Sequence, residues 1–178
     1  GYTELDEITA GLQPSDMVIL AARPSMGKTA LTLCMARNAA VKGKTPVLFF
    51  SLEMGVQQLV QRLLCSEARV SLHRLRTGRL SEEEWQRLAA WTGKLVEASV
   101  FIDDTASISV LEMRAKSRRA KLEHNIGMIV VDYLQLMTTS ERADNREQEI
   151  ARISRSLKAL AKELDLPVLA CAQLSRAV

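Results

Sequence analysis

The fold of this chain is constrained most strongly by one loop segment, Ala22-Arg23-Pro24-Ser25-Met26-Gly27-Lys28-Thr29. This segment directly follows the apolar run from Met17 to Ala21, and a helical pattern begins at its end. A buried strand, a glycine-containing loop and a helix N-terminus in this order bring backbone N–H groups, a lysine and the helix dipole to one small volume. The segment therefore predicts a strand, a loop and a helix that together hold a polyphosphate.

The residue types in the loop suit ATP with Mg²⁺. Gly27 has no Cβ and lets the backbone approach the phosphates, the Lys28 ammonium reaches the β and γ oxygens, and the Thr29 hydroxyl is free to ligate the metal. Ala22 stands where the motif has its first glycine, so we expect a negative φ there. The alternative is a chance Gly-Lys-Thr at a helix start, which the flanking strand and helix disfavour. We assign nucleotide binding to Ser25, Met26, Gly27, Lys28, Thr29 and Ala30.

Composition places the chain among ordinary globular proteins. It has 178 residues, of which 47% are hydrophobic and 25% charged, enough for one domain with a well-buried core. Neither an apolar run of about 18 residues nor an apolar leader segment stands out, so we expect a cytoplasmic protein without membrane contact. The net charge of +3 makes no case for nucleic acid by itself.

Short apolar runs alternate with longer helical patterns along the chain. We expect strands at 17–22, 46–51, 100–103, 128–132 and 168–172, and helices at about 28–41, 56–68, 82–96, 110–123 and 146–164. The strand runs are almost continuously apolar, which is typical of strands buried on both faces of a parallel sheet. This alternation predicts an α/β fold, mainly a parallel sheet flanked by helices, with ligands beyond the carboxyl ends of the strands.

Polar side chains at three of these strand ends are candidates for the chemistry. Asp132 ends an apolar strand and could act on Mg²⁺ together with Thr29, as a Walker B aspartate does; a strand-ending cap is the alternative. Glu53 follows the second strand and could polarise an attacking water, or could merely cap the next helix. Gln173 follows the last strand and could sense the γ-phosphate, or could be an ordinary surface amide.

Several segments in order resemble the C-terminal ATPase domain of the bacterial DnaB-type replicative helicases. The similarity runs over essentially the whole chain. The segments that carry it are Gly1 to Asp6, Thr9 to Leu12, Ala21 to Thr29, Ser51-Leu52-Glu53-Met54, Asp132-Tyr133-Leu134-Gln135-Leu136-Met137, Ser154 to Leu164 and Gln173-Leu174-Ser175-Arg176.

The resemblance implies a RecA-like P-loop NTPase core, a ring-shaped homo-hexamer, and Mg-ATP hydrolysis coupled to translocation on single-stranded DNA and duplex unwinding. It gives Glu53 the role of activating water, Lys28 and Thr29 the phosphate and metal contacts, and Asp132 the role of the Walker B acid. By the same resemblance Gln173 is the switch between the γ-phosphate and the DNA loops.

The resemblance also implies parts that residues 1–178 do not contain. We expect a single RecA-like ATPase domain that lacks the family's N-terminal domain, its linker helix and the downstream arginine finger, which neighbouring subunits exchange. We therefore expect weak hydrolysis by this domain alone, and binding of primase and of a helicase loader through regions outside it.

Single-stranded DNA is expected at the loops that face the channel of such a ring, from Thr138 to Asn145 and at the end of the chain. The candidate phosphate contacts are Arg142, Arg146 and Arg176. The basic stretch from Arg114 to Lys121 also invites a nucleic-acid role, but a solvated helix face is favoured. Its expected apolar stripe consists of Ile108, Leu111, Ala115 and Leu122.

Two other functions share the loop and the metal site. A small-molecule kinase would need a mobile arginine-rich lid over a second substrate, and no such insertion is evident. A RecA-like switch or assembly protein that binds ATP without translocating would share every core residue. Stimulation of hydrolysis by single-stranded DNA distinguishes the motor from both.

Overall fold

The computed structural model describes residues 1–138 and 145–174. In that part of the chain, one parallel sheet has the strand order β1-β5-β4-β2-β3. Because all neighbours run parallel, the carboxyl ends of the strands lie at one edge of the sheet. The strands are β1 (Met17–Ala22), β2 (Val47–Ser51), β3 (Val100–Asp103), β4 (Met128–Asp132) and β5 (Val168–Gln173).

Helices cover both faces of this sheet, as right-handed crossovers between parallel strands require. None of the helices in the described ranges is long and apolar enough to cross a membrane. They are α1 (Thr3–Thr9), α2 (Lys28–Arg37), α3 (Val56–Ala68), α4 (Leu72–Arg76), α5 (Glu82–Val96), α6 (Val110–His124) and α7 (Arg146–Leu164), with a π-helical turn at Asn38–Lys42 and a 3₁₀ turn at Leu134–Leu136.

The core is divided between the two faces of the sheet by the alternation of side chains along each strand. On β2, Leu48 and Phe50 pack with Leu157 of α7 on one face. Phe49, on the other face, packs with Leu33 of α2 and Leu59 of α3. Every residue of β2 and of β4 is buried. The two strands therefore form the buried centre of the sheet, and the candidate residues lie at its carboxyl edge.

The structure confirms the predicted α/β architecture and nearly all of the predicted element positions. Two helices were not predicted, α1 and α4. Neither contains a buried residue, so neither shows the apolar periodicity on which the prediction relied. The helix expected to end at Val41 changes into the π-helical turn after Arg37.

The predicted apolar stripe of α6 is wrong in three positions. Leu111 is 75% exposed, Leu122 is 87% exposed and Ala115 is also exposed, whereas the buried residues of α6 are Met113, Ser117 and Ala120. Because the buried face includes a serine and an alanine while two leucines are exposed, hydrophobicity alone does not identify the buried face of α6.

The basic residues of α6 form ion pairs within the chain. Arg114 and Arg118 both bind the carboxylate of Glu163 on α7, and Lys116 lies 2.7 Å from a carboxylate oxygen of Asp103 at the end of β3. These contacts fit the interpretation of a solvated helix face that also holds α6 against its neighbours.

Candidate nucleotide-binding site

The loop between β1 and α2 turns sharply at two residues with positive φ. Ser25 has a φ of 63° and Gly27 a φ of 88°. Gly27 is the N-cap of α2, and its carbonyl accepts the N–H of Leu31 at 2.9 Å. Ala22 ends β1 and is not among the residues with positive φ in the described ranges, as expected. Glycine is therefore needed at 27 for its backbone conformation as well as for close approach.

The side chain of Lys28 is held only weakly. Its Nζ lies 3.4 Å from the carbonyl oxygen of Ala22 and 5.4 Å from the centre of the Tyr133 ring. A hydrogen bond of this length and a cation–π contact are both weak compared with a charge-assisted bond to phosphate. The ammonium can therefore exchange these contacts for an anionic ligand.

A cleft of about 340 Å³ lies in front of the loop. Its walls bring together the predicted nucleotide-binding residues from Ser25 to Ala30, Glu53 after β2, and Gln173 at the end of β5. Asp132 does not line the cleft. The cleft is also lined by Arg62 of α3, which sequence reasoning did not single out because nothing in the spacing of a mid-helix arginine distinguishes it.

Glu53 is exposed in a turn that three hydrogen bonds hold in place. The Ser51 hydroxyl donates to the Met54 carbonyl at 2.6 Å, and the Leu52 N–H donates to the Asp132 carbonyl at 2.8 Å. The N–H of Val56, in the first turn of α3, donates to a carboxylate oxygen of Asp104 at 3.0 Å. Asp104, and not Glu53, thus satisfies the start of α3, which removes the capping explanation for Glu53.

Asp132 lies at the carboxyl end of β4, opposite Ser51 of β2. It is only 1% exposed, and its Oδ1 has no hydrogen-bond partner among the described residues. A buried carboxylate oxygen without a partner is costly unless a cation or a bound water satisfies it. Oxygen ligands are those that Mg²⁺ prefers, so Asp132 and the Thr29 hydroxyl fit a magnesium site at this edge.

Two neighbouring groups have raised pKa values, chiefly through burial and in smaller part through the acids at this edge of the sheet. Burial raises the pKa of the Cys171 thiol to about 12, and the nearby Asp132 carboxylate adds to that rise. Burial also raises the pKa of Tyr133, with smaller contributions from Glu53 and Asp132. Tyr133 therefore lies within the field of both acids and beside Lys28, a role that its position directly after Asp132 could have indicated.

Gln173 ends β5 opposite Ala22 of β1 and is exposed. The next residue, Leu174, donates its N–H to the Ala22 carbonyl at 3.1 Å. This bond joins the end of β5 directly to the start of the phosphate loop.

The candidate DNA contacts are only partly covered by the structure. Arg142 and Arg176 lie outside the described residues. Arg146 begins α7, and its guanidinium donates to the Glu149 carboxylate and to the carbonyl oxygen of Gln135. Its side chain is half exposed.

Comparison with known proteins gives matches over the whole chain. A family model described as the DnaB-like helicase C-terminal domain matches residues 1–178. The replicative DNA helicase DnaB of Geobacillus stearothermophilus is 55% identical over 179 residues, which are 100% of this chain and 39% of that protein. The replicative DNA helicase DnaC of Bacillus subtilis strain 168 is 53% identical, with the same coverage.

A solved structure described as a DnaB-like replicative helicase and its interactions with primase superimposes with a TM-score of 0.93. It is 36% identical in sequence and covers 99% of this chain and 43% of that chain. The chain thus spans about two fifths of the length of these curated relatives.

Proposed function

Since the chain belongs to the DnaB-like helicase C-terminal domain family, we propose that it is the ATP-driven motor domain of a replicative DNA helicase. One observation carries the proposal furthest: Lys28 at the start of α2, Glu53 after β2 and Gln173 at the end of β5 line one cleft. A site that gathers a cation, an acid and an amide around a phosphate loop suits phosphoryl transfer to water.

In this proposal the loop binds the triphosphate and Lys28 neutralises charge on its β- and γ-phosphates. The backbone N–H groups at the start of α2 add the positive end of the helix dipole. Thr29 and Asp132 would hold Mg²⁺, which when bound neutralises phosphate charge during transfer. The Oδ1 of Asp132, which has no hydrogen-bond partner in the part of the chain that the structure describes, supports a cation at this position.

Glu53 orients the attacking water in this proposal. Its carboxylate is exposed to the cleft and is fixed by the turn that Ser51 and Asp104 stabilise. A carboxylate held at hydrogen-bond distance can accept a proton from the water as it attacks. Gln173, which also lines the cleft, would donate its amide to the γ-phosphate and respond to its loss.

The assembled enzyme is proposed by analogy with the relatives. We infer a homo-hexamer in which each cleft is completed by an arginine from the neighbouring subunit. We infer also that the motor acts on single-stranded DNA in the cytoplasm, and that primase and a helicase loader bind the complete protein. Arg142, Arg146 and Arg176 are the proposed phosphate contacts, whose affinity should fall as salt rises.

The test is ATP hydrolysis by the complete protein with and without single-stranded oligothymidine. We expect stimulation by the oligonucleotide, and a loss of turnover of about a hundredfold or more in Glu53→Gln with ATP still bound. The matched control is Glu97→Gln, at the C-terminal end of α5, which should hydrolyse normally. Transfer of phosphate to a small acceptor would indicate a kinase, and hydrolysis indifferent to DNA would indicate a switch protein.

A further inference from the structure

The side-chain amide of Gln135 holds the backbone of Gln173 at both of its polar atoms. Nε2 of Gln135 donates to the Gln173 carbonyl at 3.0 Å, and the Gln173 N–H donates to Oε1 of Gln135 at 3.2 Å. Among the described residues, the pairing of β4 with β5 ends at Val131 and Ala170. A primary amide carries the same donor and acceptor as a peptide group. The Gln135 side chain therefore extends this edge of β5 beyond the end of β4.

The other side of β5 is fixed to the phosphate loop. Leu174 donates its N–H to the Ala22 carbonyl, which also accepts the weak hydrogen bond from Lys28. The end of β5 is thus held between the start of the nucleotide loop and the side chain of Gln135. A displacement of Gln135 must move Gln173 or break two hydrogen bonds.

Gln135 is itself connected to α7. Its carbonyl oxygen accepts a hydrogen bond from the guanidinium of Arg146, in the first turn of that helix. The same guanidinium pairs with Glu149 one turn further along. Contacts therefore run without interruption from the cleft, through Gln173 and Gln135, to Arg146.

We propose that Gln135 is a positioning residue that couples the γ-phosphate end of the cleft to the first turn of α7. This inference rests on the proposed function, because it gives Arg146 a second partner in the form of a DNA phosphate. A phosphate near Arg146 competes with Glu149 and with the Gln135 carbonyl for the guanidinium donors. The 3₁₀ turn that contains Gln135 then shifts and carries the end of β5 with it. By linkage, a nucleotide that moves Gln173 changes the affinity of Arg146 for phosphate to the same degree.

The variant that tests this coupling is Gln135→Glu, which has the same shape and keeps an acceptor for the Gln173 N–H. Its second oxygen replaces the donor and faces the Gln173 carbonyl, so one of the two bonds becomes repulsive. Arg146→Gln cuts the connection at its other end and leaves Gln135 intact. The matched control is Gln86→Glu, on the exposed surface of α5. Thermal unfolding verifies that each variant is folded.

Two measurements in the complete protein test the coupling between the cleft and the first turn of α7. The first is the ratio of ATP turnover with and without single-stranded oligothymidine, together with KM for ATP. The second is hydrogen exchange in residues 145–150 with and without the non-hydrolysable analogue AMP-PNP and Mg²⁺. For Gln135→Glu and Arg146→Gln we expect the DNA stimulation to fall at least about fivefold while KM changes less than about threefold. In both, AMP-PNP should no longer alter exchange at the start of α7, whereas Gln86→Glu should behave as the wild type.

Retention of the wild-type stimulation ratio and exchange response in Gln135→Glu would overturn the coupling while leaving the motor function intact. A wild-type protein that binds AMP-PNP with no change of exchange in residues 145–150 would also overturn it. A wild-type protein whose hydrolysis ignores DNA contradicts the proposed function itself, and with it the coupling. The failure of the coupling and the failure of the proposed function are distinguishable, because the first two results are read in a wild-type protein whose hydrolysis responds to DNA and the third in one whose hydrolysis does not.

Discussion

The carboxylate of Asp104 accepts the backbone N–H of Val56 at 3.0 Å, so the end of β3 anchors the turn that carries Glu53. Gly55, which directly precedes Val56, has an extended backbone. A Cβ built on Gly55 would lie 3.7 Å from the Asp104 carboxylate. The position of the proposed water-orienting acid therefore depends on a residue outside the cleft.

Asp104→Ala should lower the maximal rate of ATP hydrolysis by about tenfold, because a small displacement of a catalytic group is costly. KM for ATP should change little, since Asp104 does not touch the phosphate loop. Steady-state kinetics give both numbers. Asp104→Asn keeps an acceptor oxygen and should restore most of the rate, and an equal loss in both variants would refute the anchoring role.

Gly27→Ala should destabilise the protein by about 1 kcal/mol, since alanine is strained at a φ of 88°. The chain offers a matched control in Gly93, which lies within α5 and has no atom within 4 Å of a built Cβ. Gly93→Ala should stabilise the protein by about 0.5–1 kcal/mol, because alanine favours the helix. Urea unfolding of both variants measures the difference. A loss of similar size at both positions would contradict the conformational argument.

Asp132→Asn should affect stability and ligand binding in opposite directions. The substitution removes a buried charge whose Oδ1 has no partner among the described residues, so the free energy of unfolding without ligand should rise by about 1 kcal/mol. Binding of ATP in the presence of Mg²⁺ should weaken by about tenfold or more, because a charged oxygen is lost. Chemical denaturation and titration calorimetry measure the two effects. Weaker folding together with unchanged Mg²⁺-dependent binding would remove Asp132 from the proposed metal site.

Cys171 should make stability depend on pH at alkaline values. Its pKa rises from 9.0 to about 12 on folding, chiefly through burial. The unfolded chain therefore loses this proton at lower pH than the folded chain, and the free energy of unfolding falls between about pH 9 and pH 12. The contribution is full below pH 9 and disappears as the pH passes the folded value. Cys171→Ala should flatten the slope by up to about 1.4 kcal/mol per pH unit, relative to the wild type. Parallel slopes in denaturation at pH 8 to 10.5 would contradict it.

The sequence was sufficient for the elements whose burial is complete. β2 and β4 are apolar at nearly every position, and the phosphate loop has a local motif, so both could be located without tertiary information. The side of α6 that is buried could not be located in this way. Leu111 is exposed although the sequence pattern places it in the core, and the face that is buried includes the small Ser117 and Ala120.

The same distinction applies to the candidate site. The positions of Lys28, Glu53 and Gln173 at one sheet edge followed from parallel topology, and the cleft that they line agrees with it. The places of Arg62 and Gln135 could not be predicted, since each depends on how elements distant in the chain pack together. Asp104 is a further case, because its pairing with Val56 spans the whole of α3, α4 and α5.

The strand order sets the spacing between the two strands that lead to the phosphate loop and to Glu53. β5 and β4 lie between the strand that leads into the phosphate loop and the strand that leads to Glu53. At about 4.8 Å per spacing, the two strands are separated by about 14 Å. The phosphate loop and Glu53 nevertheless line one cleft, so the segments that follow β1 and β2 must extend over the ends of the two strands between them.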